Sequence, residues 1–216
     1  QEQLDQLKAF WQQYGNLVTW TLIIVLGAFG AWNGWNLWQR NQAEKAALLY
    51  DELDRASRTG DVERTTNIFG DMKDRYGRAV FTQQGGLLAA RVAADKGRTD
   101  LARAALAWVA DNATVDEYRA AARLRLAGLL LDEKKYEEAL KQLELVDAGE
   151  FAALVADRRG DIQQAQGKSA EARVAYDKAW QAMAPDVEYR KVIEAKLNVL
   201  GAQPTASAAS GAEATK

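Results

Sequence analysis

Three groups of neighbouring carboxylates are the residues of this sequence best suited to chemistry. Paired carboxylates can exchange protons with a substrate or hold magnesium or calcium. Each group lies beside Lys or Arg in a predicted helix terminus or turn, and no nucleophile, base or phosphate-binding glycine loop accompanies it. A solvated helical face explains this pattern better than an active site, so we predict no enzymatic activity, no cofactor and no metal ion. The groups are Asp71 with Asp74, Asp132 with Glu133, and Glu137 with Glu138.

Two residue types are absent, and this narrows the chemistry further. The 216 residues include no Cys and no His, which excludes thiol nucleophiles, disulfides, the usual structural zinc sites and a histidine base. The net charge is −2 and no basic stripe is visible, so we predict no nucleic-acid partner. The lack of cysteine fits an oxidising and a reducing compartment equally well.

The beginning of the chain has the composition of a membrane anchor. No charged side chain lies between Lys8 and Arg40, and residues 17–38 form a 22-residue apolar run. At a rise of about 1.5 Å per residue the run spans about 33 Å, close to the thickness of a hydrocarbon core. Five of the seven tryptophans lie in or beside it, as in an aromatic belt. We predict an uncleaved single transmembrane helix at 17–38, preceded by an N-terminal segment at 1–16.

Small residues within this run outline a candidate face for packing against another membrane helix. Gly30 and Gly34 are separated by three residues, and Gly27 and Asn33 lie beside them. Glycine is common in membrane helices, and water at the interface explains an asparagine near the end of a span. Both interpretations stay open.

The flanking charges favour one orientation of the predicted span. Lys8 precedes it, whereas Arg40, Lys45 and Arg55 follow it, so the positive-inside rule places the larger domain in the cytoplasm. Large domains also cross membranes despite flanking positive charge. The orientation is therefore left open by the residues themselves.

A repeating pattern runs through the remainder of the chain. In three segments a small residue is followed twelve positions later by alanine, and four positions after that by a larger apolar residue. Successive copies are offset by 34 and 33 residues, which is the spacing of tetratricopeptide helical hairpins. A polar turn centred on Gly97, Lys134 or Gly167 follows the first helix of each copy. The copies are Ala93/Ala105/Val109, Ala127/Ala139/Leu143 and Gly160/Ala172/Tyr176.

The pattern predicts an all-α fold, in which a single N-terminal transmembrane helix leads into a tetratricopeptide-like α-solenoid over 39–200. A helix pair at 40–76 and a helix at 186–200 cover the two ends of the repeats, and Gly77 supplies a left-handed cap after the first pair. Residues 201–216 are small and polar, so we predict a disordered tail there.

Such a solenoid binds polypeptide on the concave surface formed by the first helix of each hairpin. Several of the candidates on this surface, the leucines above all, also fit an inter-helix core. We predict a protein-binding surface that includes Leu87, Ala90, Leu124, Leu131, Leu154, Asp157, Asp161 and Gln164.

Three longer segments resemble one protein family. They are YGRAVFTQQGGLLAAR at 76–91, ARLRLAGLLLDEKKYEEAL at 122–140 and FAALVADRRGDIQQAQGKSAEARVAYDKAW at 151–180. Together with the N-terminal anchor they resemble the YfgM family of bacterial inner-membrane proteins. The resemblance implies a periplasmic repeat domain, the SecYEG translocon and a PpiD-like membrane chaperone as partners, and assistance to client polypeptides. It implies no catalytic residue.

Two functions are compatible with these observations. The first is a membrane-anchored adaptor or co-chaperone at the Sec translocon, favoured by the anchor, the repeats and the resemblance. The second is a cytoplasm-facing scaffold or regulatory adaptor tethered to the membrane, favoured by the flanking Lys and Arg residues.

Overall fold

The computed structural model describes residues 2–202, with the side chains of residues 2–15, 18 and 148 outside that description. Over the described range the chain is helical with short turns and no strand, which confirms the predicted all-α class. Gln1 and most of the predicted tail, residues 203–216, lie outside it. The helices are α1 (Glu2–Thr59), α2 (Val62–Tyr76), α3 (Val80–Asp95), α4 (Thr99–Asn112), α5 (Asp116–Asp132), α6 (Tyr136–Glu144), α7 (Ala148–Ala165), α8 (Ser169–Ala182) and α9 (Arg190–Val199).

Helix α1 continues without a break through residue 39, where the sequence predicts the start of the repeat domain. Its large apolar side chains between residues 19 and 38 are exposed, whereas Ala46 and Leu53 further along the same helix are fully buried. Helix α1 therefore joins the packed domain only in its last third. Among the residues that the structure describes, no helix combines the length and the apolar character needed to cross a membrane.

One kind of turn follows the four helices that start a hairpin, α1, α3, α5 and α7, and also follows α9. Gly60, Gly97, Lys134, Gly167 and Gly201 adopt positive φ angles of 68°, 71°, 61°, 76° and 70°. After each of them, the next backbone N–H donates to a carbonyl five residues back, as in a Schellman cap; the N···O distance is 2.8 Å for Arg98 and Ala93. The three polar turns predicted from the sequence are confirmed, and two more frame them.

The predicted left-handed cap at Gly77 is wrong, because this residue has a right-handed φ of −54°. Glycine is instead required there by space: a Cβ atom would lie 2.9 Å from the carbonyl oxygen of Lys73. The close approach lets the chain turn directly from α2 into α3.

The turns also correct the register of the first repeat. Relative to the turn residue Gly97, Ala90, Ala102 and Leu106 occupy the positions that Ala127, Ala139 and Leu143 occupy relative to Lys134. The first offset is therefore 37 residues rather than 34. The predicted triplet Ala93/Ala105/Val109 is buried as well. A shift of three residues is close to one helical turn of 3.6, so both triplets point to the core and the pattern alone does not separate them.

The small and the large residue of the third repeat pack against each other within one hairpin. A Cβ atom on Gly160 would lie 2.4 Å from a ring carbon of Tyr176, so the tyrosine ring rests directly on the α7 backbone. Two further units share the same turn. Helices α1 and α2 form a hairpin before the predicted repeats, and α9 ends at Gly201 in the manner of the first helix of a fifth unit.

The core of the described residues consists of two clusters. The larger one extends from Leu53 on α1 to Ile162 on α7. The smaller one joins α7 and α8 to α9, where Ile193 and Leu197 are buried. Helix α9 thus covers the end of the stack, in agreement with the predicted role of a helix at 186–200.

Candidate protein-binding surface

Four positions on each first helix lie on one face, because they are 13, 10, 6 and 3 residues before the positive-φ turn. We call this face the first-helix stripe. Seven of the eight predicted surface residues belong to it. Its members are Ala47, Tyr50, Asp54 and Ser57 on α1; Gln84, Leu87, Arg91 and Ala94 on α3; Ala121, Leu124, Gly128 and Leu131 on α5; and Leu154, Asp157, Asp161 and Gln164 on α7.

Ala90 is the predicted residue that does not belong to the stripe. It is the small residue of the corrected first triplet and is buried, so its assignment to an open surface is wrong. The register error of three residues is the cause. Leu87 lies on the stripe but is also buried, and it supports the surface from beneath.

Side chains of three successive first helices meet at the beginning of the stripe. The Tyr50 ring on α1 lies 5.7 Å from the Phe81 ring on α3, and Gln84 on α3 donates a hydrogen bond to the Tyr118 hydroxyl on α5. Burial, followed by the nearby Asp54 carboxylate, raises the pKa of Tyr50. The hydroxyl of Tyr50 therefore stays protonated at physiological pH and is able to donate a hydrogen bond to a partner.

The middle of the stripe is apolar and carries one cation. Leu124 and Leu131 are half-buried and pack against the core. Gly128 between them leaves room for the Arg158 side chain of α7, whose Cζ would lie 3.5 Å from a Cβ atom at that position. The guanidinium of Arg158 thus lies over α5, beside leucine side chains that retain some exposure, and it also donates to Oδ2 of Asp161 at 3.3 Å.

The end of the stripe is occupied by the chain itself. Lys196 on α9 donates to Oδ1 of Asp157 and to Oδ1 of Asp161, each at 2.7 Å. The Tyr189 hydroxyl donates to Asp157, and the Tyr176 hydroxyl donates to Asp161, both at 2.9 Å. We call these residues the α9 latch.

The latch removes two predicted residues from the open surface. Asp157 is 3% exposed and its carboxylate already accepts hydrogen bonds from Tyr189 and Lys196, so the assignment of this residue to an accessible surface is wrong. Asp161 is bound in the same way and only partly exposed. Leu154, which is 40% exposed, and Gln164 remain accessible on the same helix. Sequence spacing places a residue on a face but does not reveal that another helix covers it.

The latch shifts the protonation of its members. Burial disfavours the charged form of Lys196, but hydrogen bonds to Asp157 and Asp161 outweigh this and raise the lysine pKa. Burial and Asp161 raise the pKa of Tyr176, and burial and Asp157 raise that of Tyr189. At neutral pH Lys196 is therefore a protonated ammonium group, and the phenols of Tyr176 and Tyr189 are neutral.

Sequence reasoning missed a buried amide that supports the surface. Gln83 is fully buried, donates to the Thr114 hydroxyl at 2.8 Å, and accepts from the backbone N–H groups of Thr114 and Val115 at 3.2 and 3.3 Å. It thereby satisfies the backbone at the start of α5. A glutamine on the apolar face of α3 is the signal that identifies it.

The remaining candidates lie on α1. A Cβ atom on Gly27, Gly30 or Gly34 would meet nothing within 4 Å, and the Asn33 amide donates to the Phe29 carbonyl at 3.0 Å. The packing role of these residues stays a prediction. Over the part of the chain that is described, no group of three or more carboxylates is placed to hold a metal ion.

Comparison with known proteins places this architecture in a family. A model described as a tetratricopeptide repeat-like domain matches residues 8–202. A protein of Neisseria gonorrhoeae named ancillary SecYEG translocon subunit is 30% identical over 93% of this chain and 96% of its own length. The chain belongs to the YfgM family. Two further family members with the same name, from Escherichia coli and Haemophilus influenzae, are 27% and 26% identical over 82% and 84% of this YfgM-family chain.

Proposed function

We propose that this chain is a membrane-anchored, protein-binding subunit associated with the Sec translocon, and that it acts without chemistry of its own. The observation that carries the proposal is the near full-length similarity to relatives named ancillary SecYEG translocon subunit. The helical repeats support it, because stacked hairpins present an extended surface for polypeptide.

The first-helix stripe is the proposed binding surface. Its accessible part combines the Tyr50 hydroxyl, the half-buried leucines of α5, the Arg158 guanidinium and exposed Leu154. Such a surface suits an apolar segment that carries hydrogen-bonding or acidic groups, because each class of side chain then meets a complement. In this proposal a membrane-anchored chaperone of the PpiD type, or a client polypeptide leaving the channel, supplies the segment.

The proposed anchor is residues 17–38 of α1. No helix of the described residues is long and apolar enough to cross a membrane, so this part of the proposal rests on the uncharged 22-residue run of the sequence. Its exposed large apolar side chains, among them Ile24 and Phe29, are placed away from the packed domain, and lipid tails would cover them. Trp20, Trp32, Trp35 and Trp38 lie towards the two ends of the run, as expected at membrane interfaces. The proposed location is the bacterial inner membrane, with the repeat domain in the periplasm.

Site-specific photocrosslinking in native membranes tests the binding surface. A benzoylphenylalanine residue in place of Leu154 should give adducts with a translocon subunit or a membrane-anchored chaperone. The matched control replaces Val174, which is 70% exposed on α8 and lies outside the stripe. No adduct from Leu154, or equal adducts from both positions, contradicts the proposed surface. Translocon subunits that fail to co-purify with the unmodified chain contradict the association itself.

A cytoplasm-facing scaffold is the second candidate, favoured by Arg40, Lys45 and Arg55 after the proposed anchor and only Lys8 before it. Because the chain has no cysteine, Val174→Cys introduces a single thiol. A membrane-impermeant maleimide should label it in intact spheroplasts if the domain is periplasmic. Labelling that requires cell lysis supports the cytoplasmic scaffold and excludes the periplasmic orientation.

A further inference from the structure

A groove lies where the exposed part of α1 meets the packed domain. It has a volume of about 330 Å³ and is formed by residues 35–43 of α1 and by the α2–α3 corner at 75–80. Trp35 and Trp38 lie on the α1 side with ring centroids 5.3 Å apart, and both are 51% exposed. We call this the corner groove.

The charges of the corner groove are positive and unpaired. Arg75 and Arg78 on the α2–α3 corner are exposed, and within the described range neither guanidinium forms an ion pair or a hydrogen bond. On the opposite wall the side-chain oxygen of Gln42 is buried without a hydrogen-bond partner among the described residues. The groove thus offers two cations, an amide group and aromatic surface to an occupant that the described residues do not supply.

The position of the groove along α1 sets its depth relative to a membrane spanned by the proposed anchor. Because α1 is one continuous helix, residues 35–43 comprise the last four residues of the proposed anchor and the five that follow it, and they cover about 12 Å along the helix axis. The headgroup layer of a bilayer has a thickness of about 5–8 Å on each side of the hydrocarbon core. If residues 17–38 span the membrane, the corner at 75–80 lies at the level of the headgroups.

We infer that the corner groove binds the headgroup of an anionic phospholipid and thereby holds the repeat domain against the membrane surface. We call this bound arrangement the lipid seat. Arg75 and Arg78 pair with the phosphate and other anionic headgroup oxygens, Trp35 and Trp38 lie at the interface, and Val80, which is 43% exposed, faces the upper acyl region. A lipid seat of this kind fixes the orientation of the first-helix stripe relative to the membrane. The inference rests on the proposed membrane anchor.

Fluorescence quenching in nanodiscs tests the seat with the full chain. Val80→Cys provides a unique site for a bimane label, and a lipid with a nitroxide on its headgroup serves as the quencher. Bimane at position 80 should be quenched strongly and bimane at Val174→Cys weakly. Replacing part of a phosphatidylcholine bilayer by phosphatidylglycerol should increase quenching at position 80, since each arginine near an anionic surface raises the population of the seated state about fivefold.

Charge variants separate the lipid seat from general proximity to the membrane. Arg75→Gln together with Arg78→Gln should abolish the effect of phosphatidylglycerol, whereas Arg173→Gln, an exposed arginine on α8, should leave it unchanged. A label at position 80 that is not quenched, or quenching that ignores both phosphatidylglycerol and the two arginines, overturns the inference. Flotation on a density gradient tests the membrane anchor separately from the lipid seat. A chain that does not float with vesicles overturns both the anchor and the lipid seat. A chain that floats but whose label is not quenched overturns the lipid seat alone.

Discussion

The ammonium group of Lys196 lies 2.7 Å from Oδ1 of Asp157, and this contact joins the last helix to the helix that starts the last complete hairpin. The side chain of Asp157 is 4% exposed and that of Lys196 is 25% exposed, so water screens the pair weakly. Helix α9 thereby covers both an apolar end of the stack and part of the first-helix stripe. Part of the stripe on α7 is thus occupied by another segment of the same chain.

Loss of the lysine should destabilise the protein more than loss of an exposed neighbour. Lys196→Met leaves Asp157 and Asp161 without their common cation, and we expect the free energy of unfolding to fall by about 2–3 kcal/mol. Lys191→Met on the exposed face of α9 should change it by less than about 0.5 kcal/mol. Urea unfolding of the full chain in detergent micelles, followed by circular dichroism, measures both. Equal urea midpoints for the two variants would show that the α9 latch contributes nothing to the free energy of unfolding.

The latch also predicts a loss of stability in alkali. The folded-state pKa values of Lys196, Tyr176 and Tyr189 are raised above their ordinary values of 10.5, 10.0 and 10.0. The folded state therefore binds these protons more tightly than the unfolded state, so their contribution is fully present below pH 10 and declines as the pH rises above it. Urea midpoints between pH 8 and 12 measure this decline. Tyr189→Phe should make it shallower, and an unchanged slope would contradict the assignment.

Two glycine substitutions should have opposite signs. Gly160→Ala places a methyl group 2.4 Å from the Tyr176 ring and should destabilise the protein by about 1–3 kcal/mol. Gly70→Ala meets nothing within 4 Å inside α2 and should stabilise it by about 0.5–1 kcal/mol through the lower entropy of the unfolded chain. Thermal unfolding of both variants checks the contrast, and a stabilising alanine at position 160 would refute the close packing of the hairpin.

The second polar turn has a residue that its conformation disfavours. Lys134 adopts a φ of 61°, where the equivalent positions in the flanking repeats are Gly97 and Gly167. A left-handed conformation costs a non-glycine residue about 1–2 kcal/mol, so Lys134→Gly should raise the unfolding free energy by about 1 kcal/mol. Gly97→Ala should lower it by a similar amount. Urea midpoints of the two variants that shift in the same direction would contradict the assigned turn geometry.

The buried amide of Gln83 provides a prediction about the start of α5. Gln83→Leu removes one donor and one acceptor and leaves the N–H groups of Thr114 and Val115 without partners, which should cost about 2 kcal/mol. Amide hydrogen exchange at these two positions should become faster. Unchanged exchange at both would mean that water replaces the glutamine at no cost.

Much of the fold follows from local features of the sequence. The turns at Gly97, Lys134 and Gly167 and the triplets after Ala127 and Gly160 were predictable because small residues, helix periodicity and turn residues act over a few positions. The same reasoning predicts seven of the eight surface residues at positions of the first-helix stripe. The sequence reasoning failed at Ala90, where the first repeat was aligned three residues out of register. Such a shift leaves the same helix face directed at the core, so the periodicity does not reveal it.

The tertiary structure alone decided which parts of that stripe are open. Asp157 has the spacing of a surface residue, but Lys196 and Tyr189, 39 and 32 positions away, close over it. Contacts at such separation depend on how the hairpins stack and not on any local pattern. The same holds for the corner groove, which residues 75–80 line together with Trp35 and Trp38. Periodicity therefore determined the helices and their buried faces, while long-range packing determined which polar groups have partners among the described residues and which have none.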